Sequence, residues 1–130
     1  MSLKDEAEQV NDRILAAAAR GDFAPFANAL DDEVEIFDHV AYLFQGKAKF
    51  LEYLQSASAG VESMTFAFHQ STCRAVSDTT AVVNGYDRLT TIPKGGGMAR
   101  VQSGRTTLVY VKKGGDWKIV AAHFSPLPKD

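Results

Sequence analysis

Polar side chains interrupt the otherwise apolar strands in the C-terminal part of this sequence. Arg88 lies inside one alternating segment, and His123 and Ser125 end the last one. A guanidinium on a buried face needs a carboxylate or an anionic ligand, because an unpaired buried charge is costly. We therefore predict a pocket in which Arg88 anchors a carboxylate or pairs with Asp38. The alternative for Arg88 is a snorkelling residue at a sheet edge.

A second group with possible chemistry follows a short apolar strand, where Asp38 precedes His39. A carboxylate becomes a useful general base when burial or a charged partner moves its pKa towards neutrality. The alternative is an Asp38 that caps or pairs at a strand end. His123 could orient a substrate or relay a proton, or it could be a core histidine bonded to a carbonyl. The candidate catalytic residues are Asp38 and His123, and the candidate ligand-binding residues are His39, Tyr42, Tyr86, Arg88, Thr107 and Ser125.

Metal and cofactor sites are not indicated. The three histidines, at positions 39, 69 and 123, have none of the close spacings of zinc ligands. The glycine run at 95–97 lacks the lysine and the helix of a phosphate-binding loop. We expect no metal and no cofactor.

Hydrophobic periodicity indicates which elements position these residues. Apolar stripes predict helices at about Leu3–Arg20 and Lys47–Ser58, and Asp22 and Pro25 suit the start of a short helix between them. Val34–Phe37 is predicted as a short strand. From Val61 the period becomes 2, which predicts four longer strands at about Met64–Ala75, Thr80–Thr91, Arg100–Lys112 and Trp117–Phe124.

Three helices followed by long strands predict an α+β fold in a single domain spanning residues 1–130. Strands of this length must twist and coil, so we expect a cone-shaped half-barrel in which a strongly curved antiparallel sheet wraps around the helices. One sheet face would pack on the helices. The other would carry an apolar patch, and a homodimer through the sheet would cover it.

Composition excludes several other classes of protein. A net charge of -2 gives no general attraction to nucleic acid or anionic lipid. No apolar run approaches the length of a membrane span, and the acidic start is unlike a secretory signal. One cysteine, Cys73, cannot form an internal disulfide and suits a reducing compartment. A cytoplasmic protein without nucleic-acid or membrane partners is the expectation.

An ordered series of segments resembles a known superfamily: ARGDFAPF, EIFD, QGKAKFLEYL, SDTTAVVNGYDRLT, QSGRTTLVYV, DWKIV and HFS. Together they resemble the nuclear transport factor 2-like superfamily, which has a cystatin-like cone fold and includes SnoaL-like and ketosteroid-isomerase groups. Within it the sequence is most similar to the association domain of calcium/calmodulin-dependent protein kinase II and its stand-alone bacterial relatives. The resemblance implies a cone with a deep pocket, assembled as dimers or larger rings.

The resemblance also assigns individual positions. Arg88 matches a pocket arginine of the association domains, whereas Thr107 and Phe124 stand where those domains carry further arginines. Asp38 falls at the position of the general-base carboxylate of ketosteroid isomerases. Ile14 replaces their oxyanion-hole tyrosine, which counts against steroid isomerisation.

Three functions are consistent with the sequence. The first is a small-molecule-binding protein of the SnoaL-like type, for an apolar and carboxylate-bearing ligand. The second is a cofactor-independent enzyme that abstracts a proton, such as an isomerase, cyclase or dehydratase, with Asp38 as base and His123 or Tyr86 stabilising an enolate. The third is an oligomerisation module.

Overall fold

The structure, a computed structural model, describes residues 2–128. Three helices pack against one sheet: α1 (Leu3–Ala18), α2 (Ala24–Ala29) and α3 (Lys47–Ser58). The strands are β1 (Leu30–Phe37), β2 (Leu43–Gln45), β3 (Val61–Ala75), β4 (Thr80–Pro93), β5 (Arg100–Lys113) and β6 (Asp116–Pro126). Among the described residues, no helix is both long enough and apolar enough to cross a membrane.

Local chemistry fixes the helix boundaries. The Asp5 amide donates to Ser2 Oγ at 3.1 Å, which caps the start of α1. At the other end of α1, Gly21 has a φ of 85°, a backbone conformation that residues with a side chain rarely adopt. The Asp22 carboxylate then accepts from the Ala24 amide at 3.1 Å, next to Pro25 in the first turn of α2. These contacts end α1 and begin α2.

The strands form one six-stranded sheet in the order β2-β1-β6-β5-β4-β3. The pairs from β3 to β6 are antiparallel, as the sequence predicts, but β1 lies parallel to β6. The sequence pattern predicts neither this parallel pair nor the three-residue strand β2. The predicted α+β fold with a curved sheet and three helices is confirmed, and α3 has the predicted bounds.

The two faces of the sheet differ in what covers them. We call the face that packs on the helices the inner face, and it carries Val83, Leu108 and Ile119, each at most 2% exposed. A hydrogen bond of 2.7 Å from Tyr110 Oη to Asn11 Oδ1 joins this face to α1. The opposite, outer face leaves Phe37 and Tyr86 each 47% exposed.

Candidate functional site: a cavity on the inner face

A cavity of about 380 Å³ lies between the inner face and the helices. Its walls are mainly apolar. The helices contribute Ile14, Phe26, Phe50, Leu51 and Leu54, and the strands contribute Met64, Phe66, Phe68, Leu89, Leu108 and Phe124. Its polar side chains are Asp38, His39, Tyr53, Gln55, Ser58 and Thr106, and no lysine or arginine is among its described lining residues. The cavity has the size and apolar character of a small-molecule site.

Aromatic rings give this cavity defined walls. Phe26 contacts Phe50 and Phe124 edge to face, with ring centroids 6.3 and 6.4 Å apart. Phe66 stands at 89° to Phe124, at 6.0 Å. Such edge-to-face pairs hold aromatic side chains in preferred geometries. The wall shared by α2, α3 and the sheet is therefore preformed.

Asp38 and His39 lie in the loop after β1, at the edge of the cavity. Their side chains are 16% and 18% exposed. Asp38 Oδ1 accepts from the His39 amide at 2.7 Å and lies 3.8 Å from His39 Nδ1. His39 Nε2 is buried without a hydrogen-bond partner in the described chain. Since buried polar atoms normally have partners, this nitrogen is free to bind a ligand.

Burial raises the pKa of Asp38, and the amide and charge of His39 partly oppose that rise. A carboxyl shifted in this direction takes up a proton at higher pH than an exposed aspartate does. The Asp38–His39 pair therefore places a basic group and an unpartnered nitrogen beside an apolar space, which is an arrangement suited to proton transfer.

A second carboxyl lies on the inner face, at Asp87 in β4. Only 2% of this residue is exposed. Its Oδ2 accepts from Thr106 Oγ1 at 2.5 Å, and its Oδ1 is buried without a partner in the described chain. Burial raises the pKa of Asp87. The Thr106 hydrogen bond and the charge of His39 oppose this rise, while the charge of Asp38 adds to it.

The structure corrects the predicted pocket in β4 and β5. Tyr86 and Arg88 are exposed on the outer face, where they pair with Arg105 and Ser103. Thr107 also lies there and donates to Asn84 Oδ1 at 2.6 Å. The prediction that Arg88 points into the cavity is wrong. Alternation correctly groups Tyr86 with Arg88, but both faces of β4 mix polar and apolar residues, so the pattern did not say which face is buried.

The predicted positions of His123 and Ser125 in the cavity are wrong for a different reason. The pairing of β5 with β6 shifts by one residue, because Val109 faces Ala121 while Tyr110 faces Ile119. This bulge reverses the alternation after buried Ile119, so His123 is exposed on the outer face and Ser125 is not in the cavity wall. Tyr42, 59% exposed, lies outside the wall as well.

The outer-face residues surround a shallow groove of about 220 Å³, lined by Glu35, Phe37, Leu43, Thr107, Val109, Ala121, Ala122 and His123. The rings of Phe37 and His123 lie 5.5 Å apart. Of the eight predicted site residues, the structure brings only Asp38 and His39 together at the cavity. Within the described range, no three His, Cys, Asp or Glu side chains are grouped as metal ligands would be.

Asp87 and Thr106 are the functional candidates that sequence reasoning missed. A signal was available, because Asp87 is in the same alternating set as Ala81, Val83 and Leu89. A carboxylate within such an apolar set marks a buried charge that needs a specific partner.

The family model described as a SnoaL-like domain matches residues 7–129. The chain belongs to the SnoaL-like family. No curated protein matches the sequence.

Several solved structures share the fold of this SnoaL-like chain. A Xanthomonas campestris protein, provisionally named a calcium/calmodulin-dependent protein kinase II association domain, has a TM-score of 0.79 at 23% identity, over 96% of this chain and 88% of its own. The hub of that kinase from S. rosetta has a TM-score of 0.77 at 23% identity, over 98% of both chains.

A third similar structure carries an enzyme's name. It comes from Novosphingobium aromaticivorans and is provisionally named a scytalone dehydratase, with a TM-score of 0.79 at 13% identity, over 94% of this chain and 82% of its own. At such identities the likeness establishes the fold alone. The predicted SnoaL-like family is confirmed by the family model, and calcium/calmodulin-dependent protein kinase II association domains are among the structures that share the fold.

Proposed function

We propose that this SnoaL-like protein binds a small, mostly apolar and uncharged molecule in the inner-face cavity, with Asp38 and His39 at its polar end. The observation that carries the proposal is the composition of the wall: aromatic and aliphatic, with a carboxyl and an unpartnered His39 Nε2 but no lysine or arginine. Transferring a full negative charge into such a wall would cost free energy that no lysine or arginine there offsets. The ligand carboxylate that Arg88 was predicted to anchor is therefore not part of this proposal.

Calorimetric titration with two bicyclic probes tests this function. We expect 2-methoxynaphthalene to bind and 2-naphthoate, which has similar size and a negative charge, to bind at least about tenfold more weakly. Leu54→Trp, which fills the cavity, should abolish binding. The matched variant Val101→Trp, at an outer-face position that is 59% exposed, should leave it unchanged. Tighter binding of naphthoate, or no binding of either probe at millimolar concentration, would contradict the proposal.

A second proposal is that the cavity catalyses cofactor-independent proton abstraction, as an isomerase, cyclase or dehydratase does. The specific observation in its favour is the raised pKa of Asp38 beside the unpartnered His39 Nε2. Asp38 would serve as the base, and His39 would bind the oxygen on which charge develops. The dehydratase-named neighbour supports the same class of reaction.

Exchange of α-protons of 2-tetralone in D2O, followed by NMR, tests proton abstraction without knowledge of the natural substrate. The wild type should accelerate the exchange, and Asp38→Asn should slow it by about a hundredfold, which is the low end of acid–base contributions. Arg88→Gln serves as the control, since it alters the outer face only. Exchange no faster than in buffer would contradict proton abstraction and leave only the proposed binding function.

A third proposal concerns assembly. The association-domain neighbours and the exposed apolar residues Phe37 and Val101 support a homodimer through the outer face. The groove around Ala121 would then lie in the interface. Sedimentation equilibrium should give a dimer for the wild type and a monomer for Ala121→Arg. A monomeric wild type at micromolar concentration would remove this proposal.

A further inference from the structure

The carboxyl of Asp87 is buried on the inner face, although binding of an apolar molecule does not require a carboxyl there. It is 2% exposed and lies on β4 next to the cavity residue Leu89. An ionised carboxylate at such a position is costly unless hydrogen bonds compensate. One oxygen has Thr106 as its partner, and the other has none in the described chain.

Space for this carboxyl is provided by Gly104 on the neighbouring strand. A Cβ at position 104 would lie 2.9 Å from Asp87 Oδ1, 3.2 Å from Oδ2 and 2.7 Å from the carbonyl oxygen of Ser125. Each of these distances is too short or tight for carbon. A side chain at 104 would therefore displace the Asp87 carboxyl, and the glycine keeps both carboxylate oxygens beside β5.

Thr106 connects this carboxyl to the cavity, because Thr106 lines the cavity and Asp87 does not. A threonine hydroxyl has one proton to donate and two lone pairs. While Asp87 is ionised, its carboxylate only accepts, so the 2.5 Å bond then commits the hydroxyl proton to Asp87 Oδ2. What remains for a ligand at Thr106 Oγ1 is the capacity to accept a hydrogen bond.

We propose that Asp87, acting through Thr106, makes the cavity selective for an apolar molecule that carries a hydrogen-bond donor, such as a phenol or an alcohol. Asp87 is a positioning residue in this account, and Thr106 is the group that contacts the ligand. The inference rests on the proposed binding function and narrows its ligand class.

Protonation provides a readout that a purely structural role would not give. Burial raises the pKa of Asp87, and the titratable groups acting on it are His39 and Asp38, from the loop after β1. Once protonated, Asp87 can donate to Thr106, and the threonine hydroxyl is then free to donate into the cavity. The preference for donor ligands should therefore decrease as the pH falls through the titration of Asp87.

Calorimetric titration of the full chain with 2-naphthol and 2-methoxynaphthalene tests the inference, since only the first probe carries a donor. At neutral pH we expect wild type to bind 2-naphthol about tenfold more tightly, the value of one neutral hydrogen bond. Thr106→Val should remove the preference while the methyl ether still binds, and Thr106→Ser should retain it. Asp87→Asn should reduce the preference and make it independent of pH.

The remaining outcomes are equally decisive. If wild type binds both probes equally, the donor selectivity is wrong although the binding function stands. If the preference persists in Thr106→Val, it arises from the size of the methyl group or from another acceptor in the cavity, such as Asp38, and the role of Asp87 is again overturned. If wild type binds neither probe, the binding function fails and this inference fails with it.

Discussion

The two faces of one sheet carry opposite charges at neighbouring positions of β4. The inner face holds Asp87, almost completely buried, and the cavity it borders has no arginine or lysine among its described lining residues. The next residue, Arg88, lies on the outer face with Arg105 and His123, and all three are exposed. Adjacent residues of a strand thus belong to different environments. In the proposed function, the carboxyls and not the cations therefore determine which ligands the cavity accepts.

The largest expected difference between the faces is in packing. Phe50 is 1% exposed and contacts the rings of Phe26, Phe44 and Tyr53. Phe50→Ala should lower the free energy of unfolding by about 3–5 kcal/mol. The matched substitution Phe37→Ala, on the outer face, should cost less than about 1 kcal/mol in a monomer. Denaturant titration measures both values.

A large loss of unfolding free energy in Phe37→Ala would remove this contrast between the two faces. If that loss depended on protein concentration, the outer face would be buried in a dimer. If it did not, the packing of the outer face in the monomer would have been underestimated.

A smaller contrast is expected for hydrogen bonds. Tyr110 donates to Asn11 in the core, at 2.7 Å, whereas Thr107 donates to Asn84 on the outer face, at 2.6 Å. Tyr110→Phe leaves a buried acceptor unsatisfied and should cost about 1–3 kcal/mol. Thr107→Val should change the free energy of unfolding by no more than about 0.5 kcal/mol, because water can replace the lost partner. Equal costs would show that the outer face is also protected from water.

The smallest expected effect is a dependence of stability on pH at Asp87. Its pKa in the folded protein is raised above the ordinary aspartate value of 3.8, so the folded state holds its proton to higher pH than the unfolded state does. The stability due to this group is therefore present below about pH 3.8 and is lost as the pH rises through the folded pKa. As the pH rises from about 3.8 through the folded pKa, Asp87→Asn should become increasingly stable relative to wild type. Arg88→Gln should show no such gain.

Urea titrations of wild type and both variants, from acidic to neutral pH, measure this difference. Subtracting the wild-type curve cancels the titration of the other carboxyls. A gain for Asp87→Asn that grows as the pH falls would have the wrong sign, and it would show that the carboxylate is stabilised in the folded state.

The sequence was sufficient to predict the helices and the long strands, but not which face of each strand is buried. α3 has the predicted bounds, since its apolar stripe and the preceding glycine are local signals. β2 and the parallel pairing of β1 with β6 depend on contacts distant in sequence, which periodicity does not report. In β6, a bulge of one residue reversed the alternation before His123. Asp38 and His39 were found because a loop after a buried strand needs no register to be located.

The position of a bound ligand tests the central claim, that the inner face and not the outer face forms the binding site. Methyl groups report this directly in an NMR titration of selectively labelled protein with 2-methoxynaphthalene. The account predicts shifts for Leu51, Leu54 and Leu108, which line the cavity, and none for Val101 or Val109 on the outer face. Shifts of the two valines with unchanged leucines would contradict it.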